Sequence, residues 1–162
     1  MVKILILYDS QTGNTEKVAK AVAEGAGSVK GVKVEVKKIG DPFPLTLLSE
    51  VDGVAFGSPS IYADITKNMK DFLEHIESYV IDVARLRALK IKIKGQKAAV
   101  FGTYGFDGAF VVEERLKIRV KMLGYTVQEK TLQMIDFEVK TNPRALEECR
   151  DWGKAFAESL KS

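Results

Sequence analysis

The sequence predicts an α/β fold: a doubly wound, five-stranded parallel sheet with helices on both faces, in three α/β/α layers. Three observations carry this. Short apolar runs recur along the 162 residues, and apolar positions return at helical spacing between them. The runs at 3–8, 51–57 and 97–102 are continuous, as in strands covered on both faces. Glycine, proline and asparagine punctuate the transitions. Strands that alternate with helices in this way pair in parallel through right-handed crossovers.

Residues 3–8 (KILILY) form the first strand. Val18, Val22, Ala23 and Ala26 follow at helical spacing, and Gly25 and Gly27 suit that helix's end. Residues 32–39 (VKVEVKKI) alternate like an outer strand with one wet face. Asp41, Pro42, Phe43 and Pro44 break the chain into a loop. Residues 51–57 (VDGVAFG) read as the third strand, and Ile65, Met69, Phe72, Leu73 and Ile76 share the face of the next helix. The fourth strand covers 97–102 (KAAVFG), a helix covers 109–123 up to Gly124, and the fifth strand covers 125–132. Asn142 and Pro143 make a cap and first-turn pair for the last helix. Its apolar stripe is Ala145, Leu146, Cys149, Trp152, Phe156 and Leu160. With no repeat, low-complexity tract or linker, residues 1–162 read as one domain.

Composition narrows the chemistry. At 46% hydrophobic and 29% charged residues, the chain is ordinary for a globular protein. Its apolar start is too short for a signal peptide, and no run approaches the roughly 20 residues that span a bilayer. A cytoplasmic address without a membrane partner is expected. The single Cys149 excludes an internal disulfide, and with the single His75 it denies a zinc or di-iron centre its usual ligands. Redox chemistry would therefore need an organic cofactor. Cys149, on its apolar stripe, reads as a small buried hydrophobe and His75 as a partly exposed helix residue. The net charge of +3 points to no nucleic-acid partner. Six cations (Arg85, Arg87, Lys90, Lys92, Lys94 and Lys97) fall within 83–97 with no acid. They read first as a solvated face, and second as a docking patch for an acidic partner.

Ligands of doubly wound sheets bind beyond the carboxyl ends of the strands. Three loops there are unusual. The first holds Ser10, Gln11, Thr12, Gly13, Asn14 and Thr15. Its hydroxyls, amides and glycine precede a helix start, which makes an anion site without lysine. The absent lysine separates it from a P-loop. The second holds Ser58, Pro59, Ser60, Ile61, Tyr62, Ala63 and Asp64, with bulky groups where a loop is ordinarily polar. The third holds Thr103, Tyr104, Gly105, Phe106, Asp107 and Gly108, two aromatics spaced by glycine. Each aromatic pair either lies against a flat ligand or folds back onto the domain.

Over its whole length the chain resembles the flavodoxin family. S-Q-T-G-N-T after KILILYD is similar to the family's FMN-phosphate signature, and G-S-P-S-I-Y and F-G-T-Y-G-F-D-G resemble its isoalloxazine loops. The latter pair is closest to the flavodoxin-like domains of A-type flavoproteins, the flavo-diiron proteins. The resemblance implies bound FMN, electron transfer and a sheet ordered 2-1-3-4-5. It implies that Ser10, Thr12, Gly13, Asn14 and Thr15 bind the phosphate, with Gln11 in the same loop. Ser58, Pro59, Ser60, Ile61 and Tyr62 would flank one side of the flavin, and Thr103, Tyr104, Gly105, Phe106 and Asp107 the other. Tyr104 is the favoured stacking ring, then Tyr62.

The chain departs from the family's pattern in three places. It is basic overall, although Asp9, Asp64 and Asp107 stay near the expected cofactor edge. Residues 79–95 make a long link, with an added helical turn expected over 85–89 and alternation over 90–94. The second loop has no glycine from Ser58 to Asp64 to ease the backbone flip many flavodoxins make on reduction.

The implied role is an electron carrier between a reductase and an acceptor, either ferredoxin-like or a diiron protein on a separate chain. No side chain reads as a catalytic acid or base. The alternative is an NAD(P)H-dependent FMN or quinone oxidoreductase on the same fold. A phospho-acceptor receiver domain would need an acidic pair after the first strand and an aspartate after the third; Asp9 stands alone and Ser58 takes the second place.

Overall fold

The computed structural model describes residues 1–80 and 91–162. The expected turn at 85–89, and Arg85, Arg87 and Lys90 of the basic run, lie outside the described residues. The elements are β1 (Val2–Tyr8), α1 (Asn14–Gly27), β2 (Val32–Lys38), α2 (Leu47–Glu50), β3 (Gly53–Pro59) and α3 (Lys67–Val80). After these come β4 (Lys97–Tyr104), α4 (Val111–Met122), β5 (Thr126–Val127), β6 (Leu132–Ile135), α5 (Asp136–Thr141) and α6 (Pro143–Lys161).

The strands run parallel in the order β2-β1-β3-β4-β5, and β6 pairs with β4 further along the same edge. Register is set by apolar strands buried on both faces: Ile4 lies opposite Gly53 and Val34, and Ala55 opposite Ala99. Leu5, Leu7, Val54, Phe56 and Val100 face one way, onto Met69, Leu73 and Ile76 of α3 and Leu116 and Val120 of α4. Ile4, Ile6, Ala55, Ala99 and Phe101 face the other way, onto Val18 and Val22 of α1 and Trp152 and Phe156 of α6. β2 behaves as the outer strand expected, with Val32, Val34 and Val36 packed on the second core.

Two local expectations are corrected. The fifth strand is split into β5 and β6, because side chains take up backbone carbonyls between them. Lys117 Nζ donates to Glu129 O at 3.0 Å, and Trp152 Nε1 and Gln128 Nε2 donate to Lys130 O at 3.2 and 3.0 Å. The helix expected from Ala109 starts at Val111, since Phe110 takes φ 67, outside the helical region. Gly25 and Gly27 lie in the last turn of α1 as expected, and Gly25 also serves a helix crossing: a Cβ there would meet Arg150 O of α6 at 1.8 Å. The short helices α2 and α5 carry too little periodicity to be seen in the sequence. Asn142 caps α6 as expected, accepting from the Arg144 N–H at 3.0 Å.

Candidate functional site

The ends of β1, β3 and β4 bring the three loops to one edge of the sheet. In the first, Gly13 turns the chain at φ 95, a left-handed backbone that glycine adopts without strain. Ser10 is turned inward, and its Oγ accepts from the N–H groups of Gly13 at 3.1 Å and Glu16 at 3.4 Å. No side chain caps α1 at Gly13, and the amides of Asn14 and Thr15 find no protein acceptor among the described residues. Gln11 and Thr12 are exposed, and Asn14 Nδ2 reaches Thr12 Oγ1 at 3.4 Å. A helix start with free N–H groups and an open approach is the physical requirement for holding a phosphate.

Ser58 is fully buried; its hydroxyl donates to Pro59 O at 2.9 Å and accepts the Thr66 N–H at 3.2 Å. The Ser60 N–H donates to Thr103 O at 2.7 Å, which joins the second loop to the third. Ile61 and Asp64 exchange both backbone bonds, at 2.8 and 3.1 Å, around Tyr62 and Ala63. These two residues have φ 51 and 56, the left-handed pair of a type I′ turn. The loop thus reaches left-handed backbone without glycine, and the turn holds Tyr62 out at 95% exposure. Ile61 and Pro59 are half-buried.

In the third loop Thr103 is buried and its Oγ1 lies 2.7 Å from Thr15 Oγ1, linking it to the first. Tyr104 is half-buried, whereas Gly105, Phe106 and Asp107 are exposed. Gly108 is required twice over: its φ is +91, and a Cβ would fall 1.8 Å from Ser60 Oγ. That Ser60 hydroxyl is buried and has no hydrogen-bond partner.

Three further residues belong to this edge. The Thr66 hydroxyl donates to the buried Asp9 carboxylate at 2.6 Å. Asp136, at the start of α5, lies near both Asn14 and Gly105. Burial lifts its pKa, against smaller downward pulls from Lys140 and the Asn14 side chain. Phe110 is 68% exposed beside the third loop. Asp136 had a signal in the sequence, its place after the fifth strand; Thr66 and Phe110 had none. Asp64 is paired: burial pushes its carboxyl up, but Lys70 at 2.6 Å, the Ile65 amide and Arg115 together hold it below its ordinary value. Among the described residues no group of three or more His, Cys, Asp or Glu could hold a metal.

A family model for flavodoxin matches residues 6–153. The chain belongs to the flavodoxin family. It is 30% identical over 162 residues to the type A flavoprotein fprA of Rhodobacter capsulatus, covering 97% of this chain and 33% of that protein. It is 40% identical over 76 residues to a flavodoxin of Aquifex aeolicus, covering 47% of this chain and 40% of that one. The chain therefore matches less than half the length of either relative. An archaeal flavodoxin structure superposes with a TM-score of 0.81 at 27% identity, over 99% of this chain and all of the other. Flavodoxins bind FMN, and FMN is this chain's cofactor. The uncapped start of α1, the unpartnered Ser60 hydroxyl and the exposed rings of Tyr62 and Phe106 suit a phosphate joined to a flat ring.

Proposed function

We propose that this chain is an electron carrier that grips FMN between its three loops and passes electrons from a reductase to a protein acceptor. The acceptor is ferredoxin-like or a diiron protein on a separate chain. Residues 1–162 act as one domain in the cytoplasm; no described helix is long and apolar enough to cross a membrane. The observation that carries this reading is the cross-linked loop edge. Thr15 bonds Thr103, and Ser60 bonds Thr103, so the phosphate loop and both ring loops form one frame.

FMN supplies the redox chemistry when bound. The protein's work is to hold it and to set its electrostatic surroundings. The amides of Asn14 and Thr15, with Thr12 and Gln11, face the phosphate, and Ser10 braces the turn from inside. Tyr104 and Tyr62 flank the ring, with Phe106 and Ile61 closing the edges against water. The Asp9 and Asp136 carboxylates oppose added negative charge on the ring, while Lys70 and Arg115 blunt the contribution of Asp64.

Titrating the flavin-free protein with FMN, then reducing it anaerobically, tests the reading. Tight uptake of FMN, with onward reduction of a ferredoxin-like or diiron acceptor, is expected. No uptake, or steady NAD(P)H oxidation with a quinone and no reductase, would overturn it; the latter result is that of the oxidoreductase.

A further inference from the structure

Glu113 stands in the first turn of α4, directly after the third loop, and it faces inward. Its side chain is 1% exposed, and neither carboxyl oxygen has a hydrogen-bond partner. It is packed against the β4 backbone at Gly102, where any Cβ would come within 2.3 Å of Oε1. The next residue is Thr103, which bonds both other loops. Gly108 O accepts the N–H groups of Val111 and Val112, both at 3.1 Å, so the loop is fastened to the turn that carries Glu113. A carboxylate buried without a partner is strongly disfavoured, whereas a neutral carboxyl fits such a seat.

We propose that Glu113 is a positioning residue that seats the third flavin loop in its neutral form, and that losing its proton to solvent drives the carboxylate out and slackens 103–110. The inference rests on that loop closing over FMN.

The surrounding charges leave the seat unpaired. On α4, Lys117 Nζ is engaged by Glu129 O, with Glu114 and Glu129 near it, and Arg115 turns to Asp64. β3 and β5 carry no charged residue, and the one on β4, Lys97, is at its opposite end. On α3, Lys70 pairs with Asp64, and Glu74 with Arg119; Asp107 in the loop is exposed. Burial lifts the Glu113 pKa to about 7, outweighing the nearby amides of Glu113 and Phe110, which lower it, and Glu114 adds to the rise.

The test measures FMN dissociation constants at about pH 5.5 and about pH 8.5 for the wild type, Glu113→Gln and Glu113→Ala. The FMN phosphate titrates over the same range, so the readout is the difference between proteins. Wild type is expected to weaken by up to roughly 30-fold more than Glu113→Gln, whose amide cannot ionise. Glu113→Ala should bind weakly at both pH values. In the flavin-free protein, amide-exchange protection over 103–112 should fall above about pH 7 in the wild type alone. Identical pH profiles for wild type and Glu113→Gln, in affinity and in protection, would overturn the proposal. If no protein binds FMN, the cofactor reading fails, and the exchange comparison still decides the role of Glu113.

Discussion

One hydroxyl, that of Thr66, ties the base of the first loop to α3. It donates to Asp9 Oδ2 at 2.6 Å and accepts the Met69 N–H at 3.2 Å, so it caps the helix while satisfying a buried carboxylate. Thr66→Val should cost about 1–3 kcal/mol, because it leaves Asp9 without its donor. A urea midpoint that falls with an unchanged m-value would show it, and Thr66→Ser should retain most of the stability. Glu113 gives a stability signature of its own. Its folded-state pKa, about 7, lies above the ordinary 4.5, so the fold gains from its protonation fully below about pH 4.5. That gain is lost as pH rises to about 7 and does not change further. Relative to Glu113→Gln, wild type should lose about 3 kcal/mol over this interval. Denaturation curves at stepped pH values check it; parallel curves would contradict it.

Among the elements, α1 and α6 cross in close contact. A Cβ at Gly25 would fall 1.8 Å from Arg150 O, and one at Gly153 would fall 2.1 Å from Val22 O, so each helix presses backbone against backbone. Gly25→Ala and Gly153→Ala should each cost about 1–3 kcal/mol or more, although alanine is ordinarily the better helix former by about 1 kcal/mol. Gly27→Ala meets only Val34 Cγ2 at 3.9 Å and should be neutral or mildly stabilising. Thermal melts of the three variants separate the two roles. Gly25 and Gly27 look alike in the sequence, since a one-dimensional pattern holds no record of a helix about three-quarters of the chain away. The division of the fifth strand is equally non-local, being made by Lys117 and Trp152 from two helices on opposite faces.

For the whole molecule, the buried faces of strands and helices were legible, because apolar periodicity reports directly on which face is buried; the sheet order came from the family resemblance. The three loops were legible as a set because their residue types are out of place for plain connectors. Their cross-links were not: Thr15 with Thr103, and Asp9 with Thr66, join residues whose pairing follows only from the register of β1, β3 and β4. A site joined in this way should transmit cofactor binding to global stability. FMN at about 100 times its dissociation constant should add about 2.7 kcal/mol, which raises the melting temperature by about 5–10 °C. Riboflavin, which lacks the phosphate, should give a distinctly smaller rise in the same melts. Equal shifts would remove the first loop from the grip.

The α1–α6 crossing also bears on the order in which the molecule can be made. The helix that follows the first loop is clamped by 143–161, which is synthesised more than 100 residues later. β1 at the same time needs β3 on one side and β2 on the other. These contacts span long loops, which slows folding relative to a chain of local pairings. During synthesis the first loop exists long before anything fixes it, so the nascent chain should not hold FMN until α6 has docked. Cofactor capture would then mark the completion of folding rather than its start.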